Sequence, residues 1–313
     1  MGLFLQTFES VAMLLAIGVL GFWILSRGIM PASALRVLGR LALEVALPCL
    51  IFVTIVRQLD PATHPHWWVL PIWWVGFTVV VAGLTYLATR MVRSEVRPEF
   101  GLSLFYQNAT FFPLAVLTQL YSAESRYVID LFLFVMFFGA FLFSTYRVFF
   151  RQGLRLADWR KVFHPVFVIT VVAVVFRLTG LDRGVPEFVL SAMHMVGQMT
   201  VPLLMLILGG SIYLDFREGG KFRPVEVGKF VAAKNFVFPL AILGLIALIR
   251  PSRPVALLLL LEGAVPPVTS APVLVQREDG NRALTSQFLV ASFTVSLVSL
   301  PLMVWLFGRL YPG

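Results

Sequence analysis

The chain has 313 residues, of which 59% are hydrophobic and 13% charged, and its mean hydropathy is +0.88. These values exclude a soluble α/β enzyme. The net charge of +9 comes from 25 Lys and Arg set in short clusters between apolar runs, a pattern of membrane topology and anionic headgroups rather than of nucleic acid.

Each crossing needs about 20 apolar residues, so the chain reads as one membrane domain without space for a sizeable soluble one. Apolar runs between polar punctuation predict ten spans, near 9–26, 33–56, 67–89, 100–120, 127–149, 163–178, 186–214, 225–249, 254–275 and 284–307. The first follows Glu9 with no basic leader and reads as an uncleaved span; Gln6 stands where N-myristoylation needs Ser or Thr. The second holds Glu44, Pro48 and the single cysteine, Cys49, which reads as a small packed residue and permits no intramolecular disulfide. His64 and His66 follow in a loop without the acids or cysteines of a metal site, and the Trp67-Trp68 and Trp73-Trp74 pairs fit an interfacial aromatic belt. Asp130 opens the fifth span at the expected wet interface. His194 in the seventh reads as a hydrogen-bonded packing residue, and Lys234 is the one basic residue deep in a span.

Odd-numbered connections hold Arg27, Arg36, Arg40, Arg90, Arg93, Arg97, Arg147, Arg151, Arg155, Arg160, Lys161, Arg217, Lys221, Arg223, Lys229, Arg277 and Arg282. These are 17 basic residues against 7 in the even connections and C-terminus. Cytoplasmic loops are enriched in Lys and Arg, so this bias places both termini outside the cytoplasm, in a cell membrane crossed many times.

Prolines fall within the second, fourth, seventh and ninth spans. A shift of 154 residues aligns Pro48 with Pro202 and Pro113 with Pro267, and pairs Glu44 with Gln198 and Asn108 with Glu262. A five-span unit repeated in tandem inserts its second copy upside down, which predicts two inverted repeats, 1–156 and 157–313. Asn108 and Glu262 each stand five residues before a proline. If the helix unwinds there, proline restarts it where a missing N–H matters least, and the restarted half aims free N–H groups at an anion near the midplane.

The run Leu41 to Phe52, the segment Asn108 to Pro113, the stretch Val201 to Gly209, the element Lys234-Asn235-Phe236-Val237-Phe238-Pro239 and the Pro266-Pro267 break keep the order and spacing of the auxin efflux carrier family, which the chain resembles over nearly its whole length. The resemblance implies an all-α integral membrane protein of the sodium/proton antiporter-like fold. It would have ten helices in two inverted repeats, broken helices 4 and 9 crossing, and a transport domain moving like an elevator against a scaffold. It further implies carriage of small organic acids, auxin in plants and dicarboxylates such as malate or malonate in bacteria. The connection from Phe150 to Val162 lacks the long hydrophilic loop of plant members, so the chain looks like the short bacterial-type branch. The family's proline crossover maps onto Pro113 and onto Pro266 or Pro267, and its polar residue onto Asn108; Glu262 departs from the pattern.

The expected substrate site is therefore Asn108, Ala109, Thr110 and Pro113 with Gly263, Ala264, Pro266 and Pro267. An intramembrane charge is costly, so Glu262 either carries a proton with the substrate, is neutralised by a cation such as sodium, or is held as a cap by freed N–H groups. Glu44 and Gln198 are further coupling candidates. Lys234 requires a carboxylate, a carbonyl or an anionic substrate, or reaches the interface; both Glu44 and Glu262 are candidate partners. No nucleotide fingerprint, nucleophile elbow or metal cluster stands out, so no enzyme or cofactor beyond a coupling ion is expected. The expected partners are a small organic anion, the bilayer and a second copy of the chain along spans 1, 2, 6 and 7. A sensor keeping the carrier fold and a cation/proton antiporter are the alternatives; the first lacks surface for a downstream protein, and Asn108 argues against the paired acids of the second.

Overall fold

The computed structural model describes residues 2–60, 66–121, 125–150, 165–218 and 221–311. In chain order its helices are α1 (Gly2–Ser26), α2 (Ala34–Gln58), α3 (Trp67–Thr89), α4 (Arg97–Phe105), α5 (Phe111–Tyr121), α6 (Arg126–Phe150), α7 (Pro165–Thr179), α8 (Glu187–Leu214), α9 (Pro224–Ile249), α10 (Arg253–Ala264), α11 (Ala271–Gln276) and α12 (Arg282–Leu310). Among the described residues there is no strand, only an isolated antiparallel bridge between Gln107 and Pro267. Seven helices, α1, α2, α3, α6, α8, α9 and α12, are long and apolar enough to cross a membrane. Helices satisfy their own backbone in hydrocarbon, which is why an apolar chain of this length is built this way.

The fourth and ninth predicted spans are not single helices: the first is α4 and α5, the second α10 and α11. The sixth corresponds to α7, whose predicted start lies outside the described residues, as do His64, Arg151, Arg155, Arg160, Lys161 and the boundary expected after residue 156.

Glycines set the closest helix contact. A Cβ on Gly209 of α8 would stand 1.7 Å from the carbonyl oxygen of Gly18 in α1, and one on Gly21 would stand 2.1 Å from that of Leu206. Backbones approach this closely only where side chains are absent, a frequent means of joining membrane helices. Nearby, α2 packs on α7 and α8: Phe52 meets Phe176 edge-on at 5.5 Å, Gly197 lies against Leu50, and Arg57 pairs with Glu187. Elsewhere Phe230 of α9 stacks on Phe288 of α12 at 4.5 Å with Phe100 of α4 edge-on to both.

Pro48 does not break α2. The helix widens into a π stretch over Leu41–Ala46, and α9 does the same over Ala233–Val237 ahead of Pro239. The carbonyl four residues before each proline, the one its ring would strike, lies in the widened turn. In α8 the break comes at Met199, three residues before Pro202.

Candidate functional site

Between α4 and α5 the chain is extended from Tyr106, and between α10 and α11 from Val265. The two segments cross as a short antiparallel pair: the Asn108 N–H donates to the Pro266 carbonyl at 2.9 Å, and the Val268 N–H donates to the Tyr106 carbonyl at 2.8 Å. Exchanging Tyr106 with Pro266 and Asn108 with Val268, an offset of 160 residues, maps one bond onto the other. Each broken helix thus satisfies backbone groups that the other has freed, the requirement for irregular chain at membrane depth.

This register corrects the expected one. Asn108 is matched by Val268, not by Glu262: Glu262 still lies within α10, whereas Asn108 and Val268 both lie beyond the ends of their half-helices and donate the two crossing bonds. Nor do the prolines restart their helices. α5 begins at Phe111, ahead of Pro113, where the Asn108 side-chain oxygen accepts from the Phe112 N–H at 3.4 Å. α11 begins at Ala271, and Pro266 and Pro267 stay in the extended segment. Pro266 takes part through its carbonyl and Pro267 sits opposite Gln107 between the two bonds, so neither is asked for an N–H.

A cavity of about 280 Å³ lies against the crossover. One wall is Asn108, Ala109 and Thr110 with Val268, Thr269 and Ser270; the lining from α2 and α8 is mostly apolar, with Leu43, Leu47, Leu204 and Ile207 and the single hydroxyl of Ser211. Asn108 is 2% exposed, and its amide nitrogen has no hydrogen-bond partner among the described residues. An unpaired buried donor costs about 1–3 kcal/mol, which a ligand oxygen would relieve. Of the expected substrate residues, Asn108, Ala109 and Thr110 line this cavity; Pro113, Gly263, Ala264, Pro266 and Pro267 do not, Gly263 being packed against Ile242 of α9. Thr269 and Ser270, absent from the expected site, follow the Pro266-Pro267 break after Val268, and that nearness is the signal that could have found them.

Glu262 occupies the last turn of α10, fully buried, and its carboxylate accepts from the Gln107 side-chain amide at 3.3 Å. Its second oxygen has no hydrogen-bond partner among the described residues. Lys234, 1% exposed, lies in the π stretch of α9 that packs on α10, and holds its side-chain nitrogen 5.7 Å from the Phe238 ring centre. Next to it Asn235 ties α9 to α12, donating to the Ser292 carbonyl at 3.0 Å and to the Ser299 hydroxyl at 3.2 Å and accepting from the Ser292 hydroxyl at 2.8 Å. Two polar groups are thus formed, one on the cavity and one inside the bundle, joined through consecutive residues Gln107 and Asn108.

The remaining candidates lie elsewhere. Glu44 is exposed on the π stretch of α2, and Gln198 is exposed and bonded to His194 at 2.9 Å. Of the two acids expected to partner Lys234, Glu262 is the one buried in the bundle with it. Asp130 is buried rather than at a wet interface, with Arg126 at 3.4 Å, and Trp74 packs edge-on to Phe141 in the core while Trp68 is exposed.

The family model described as membrane transport protein matches residues 6–155 and 147–304. A protein of Methanothermobacter thermautotrophicus named as an uncharacterized transporter is 24% identical over 305 residues, 96% of this chain and 98% of its own length.

Proposed function

Since the chain belongs to the membrane transport protein family, that of the auxin efflux carriers, we propose that it is a secondary transporter moving a small organic anion, a carboxylate such as a dicarboxylate, across the cell membrane. The observation that carries this reading is the unpaired Asn108 amide on a cavity of about 280 Å³, below the usual range for drug-sized ligands. A carboxylate there accepts from Asn108 and from the hydroxyls of Thr110, Thr269 and Ser270.

The cavity lies between a polar crossover and a mostly apolar wall from α2 and α8, an arrangement suited to elevator movement. The crossover and the helices around it slide with the substrate against a frame of α1, α2, α7 and α8, held rigid by the glycine contacts of Gly18, Gly21 and Gly209. In this proposal α4 with α5 and α10 with α11 are the fourth and ninth of ten spans in two inverted repeats, 1–156 and 157–313. The offset of 160 at the crossover supports that symmetry. The basic connections face the cytoplasm, both termini lie outside, and the exposed apolar faces of α2, α7 and α8 meet a second copy.

Glu262 serves as the coupling group, taking a proton or a sodium ion on its unpaired oxygen, with Gln107 reporting its state to the crossover. Counterflow in proteoliposomes with labelled mono- and dicarboxylates, with and without a pH gradient, tests the function. Movement of an acid that Asn108→Ala weakens supports it, and immobility of every acid refutes it.

A further inference from the structure

A second cavity, about 480 Å³, is built by α3, α4 and α6 rather than by α2 and α8. Its lining is graded. Phe105, Val148 and Phe149 give an apolar part, Thr85, Thr89 and Ser94 supply hydroxyls, and Arg97 stands at the rim. Arg90 lies over the ring of Tyr86, another lining residue, at 4.7 Å, and Arg93 is exposed beside them. Of the acids in this stretch, Glu95 is exposed on the turn, whereas Glu99 is buried and accepts from the Asn281 N–H at 2.8 Å. The rim is therefore net positive.

Two observations point to an occupant. The Thr85 hydroxyl is buried at 4% exposure without a hydrogen-bond partner, on the wall of this cavity. On α3 the exposed residues Val75, Val79, Ala82 and Tyr86 form one stripe at helical spacing, and its last two residues line the cavity. The hydrocarbon-facing side of the protein thus runs into a groove ending among arginines and hydroxyls. A soluble anion has no use for the aromatic walls, and a neutral lipid none for the arginines.

We propose that this groove binds an anionic phospholipid, its phosphodiester between Arg90 and Arg97, its ester region on Thr85, and an acyl chain along Phe105 and Phe149. The lipid abuts the crossover, because the Tyr106 hydroxyl bonds Thr145 in the groove at 2.7 Å while the Tyr106 carbonyl accepts the Val268 N–H. A filled groove braces one limb of the crossed pair.

The test is thermal unfolding of the purified full chain in detergent, titrated with phosphatidylglycerol, with phosphatidylcholine of the same acyl chains, and with glycerol phosphate. Phosphatidylglycerol alone should raise Tm saturably. Each surface-proximal basic residue contributes about fivefold in affinity for an anionic lipid, so Arg90→Gln with Arg97→Gln should raise the half-saturating concentration about tenfold or more. Ala82→Trp, which fills the groove, should abolish the shift, while Arg27→Gln with Arg36→Gln should leave it intact. An equal shift with phosphatidylcholine overturns the lipid assignment, a shift with glycerol phosphate alone makes the site one for soluble anions, and equal loss in the remote Arg27 and Arg36 pair reduces it to surface charge.

Discussion

Glu262→Gln isolates the electrostatics of the bundle interior. The substitution preserves size and the contact with Gln107 but removes the acid on the helix packed against the Lys234 turn, and both side chains are at most 1% exposed. Leaving a buried polar group without its partner costs about 1–3 kcal/mol, and no direct salt bridge joins the two among the described residues. Lys234→Met added to Glu262→Gln removes the amine left without its acid and should recover part of that loss, for a coupling energy of about 1 kcal/mol or more. Denaturant unfolding in detergent of the four proteins measures the cycle. If the double variant loses the sum of the two single losses to within about 0.5 kcal/mol, the groups are independent and the buried pair does not exist. In proteoliposomes, Glu262→Gln should abolish any dependence of transport on the pH gradient while exchange remains measurable.

Asn108→Ala should weaken apparent substrate affinity by about 10- to 100-fold, the worth of a hydrogen bond to a charged acceptor, with unfolding shifted by no more than a lost helix cap; equal affinity in counterflow would remove Asn108 from the site. Gly209→Val should destabilise by about 3 kcal/mol or more, because α1 and α8 must separate to admit the new side chain; an unchanged Tm would refute the close approach. Asn235→Ala leaves the Ser292 hydroxyl without its acceptor and should lower unfolding stability by about 2–3 kcal/mol, whereas Ser299→Ala, which removes one of three bonds, should lower it by about 1.

Hydropathy made the long helices legible, because an apolar run of more than 20 residues has few other uses. The breaks were legible as prolines beside polar residues, but their register was not. The prolines that mark the breaks, Pro113 and Pro266-Pro267, are not where the helices resume: α5 begins at Phe111 on the Asn108 cap, and α11 at Ala271 with Pro272 in its first turn. The shift of 154 followed the prolines, whereas the bonds follow 160, since backbone partners set the crossing and any residue can supply them. Glu44 is exposed on the widened turn of α2, and hydropathy, which says only that a residue lies within a span, does not give that facing. The cavity itself could not be read, since its mostly apolar wall comes from α2 and α8, far along the chain from the crossover.

Gln107 and Asn108 connect the two polar groups. Successive side chains of an extended segment point to opposite faces, so a chain that has left the helix at Tyr106 must send these two neighbours apart. One meets Glu262 and the other lines the cavity. A continuous helix would separate them by about 100° and leave both on overlapping faces. The unwinding therefore does more than expose N–H groups: it makes two adjacent residues read two compartments, and any change at Glu262 that shifts Gln107 turns the same peptide unit whose N–H is bonded to Pro266. In the proposed mechanism, binding on the cavity side and charge on the bundle side are linked through one residue step, without a longer chain of contacts.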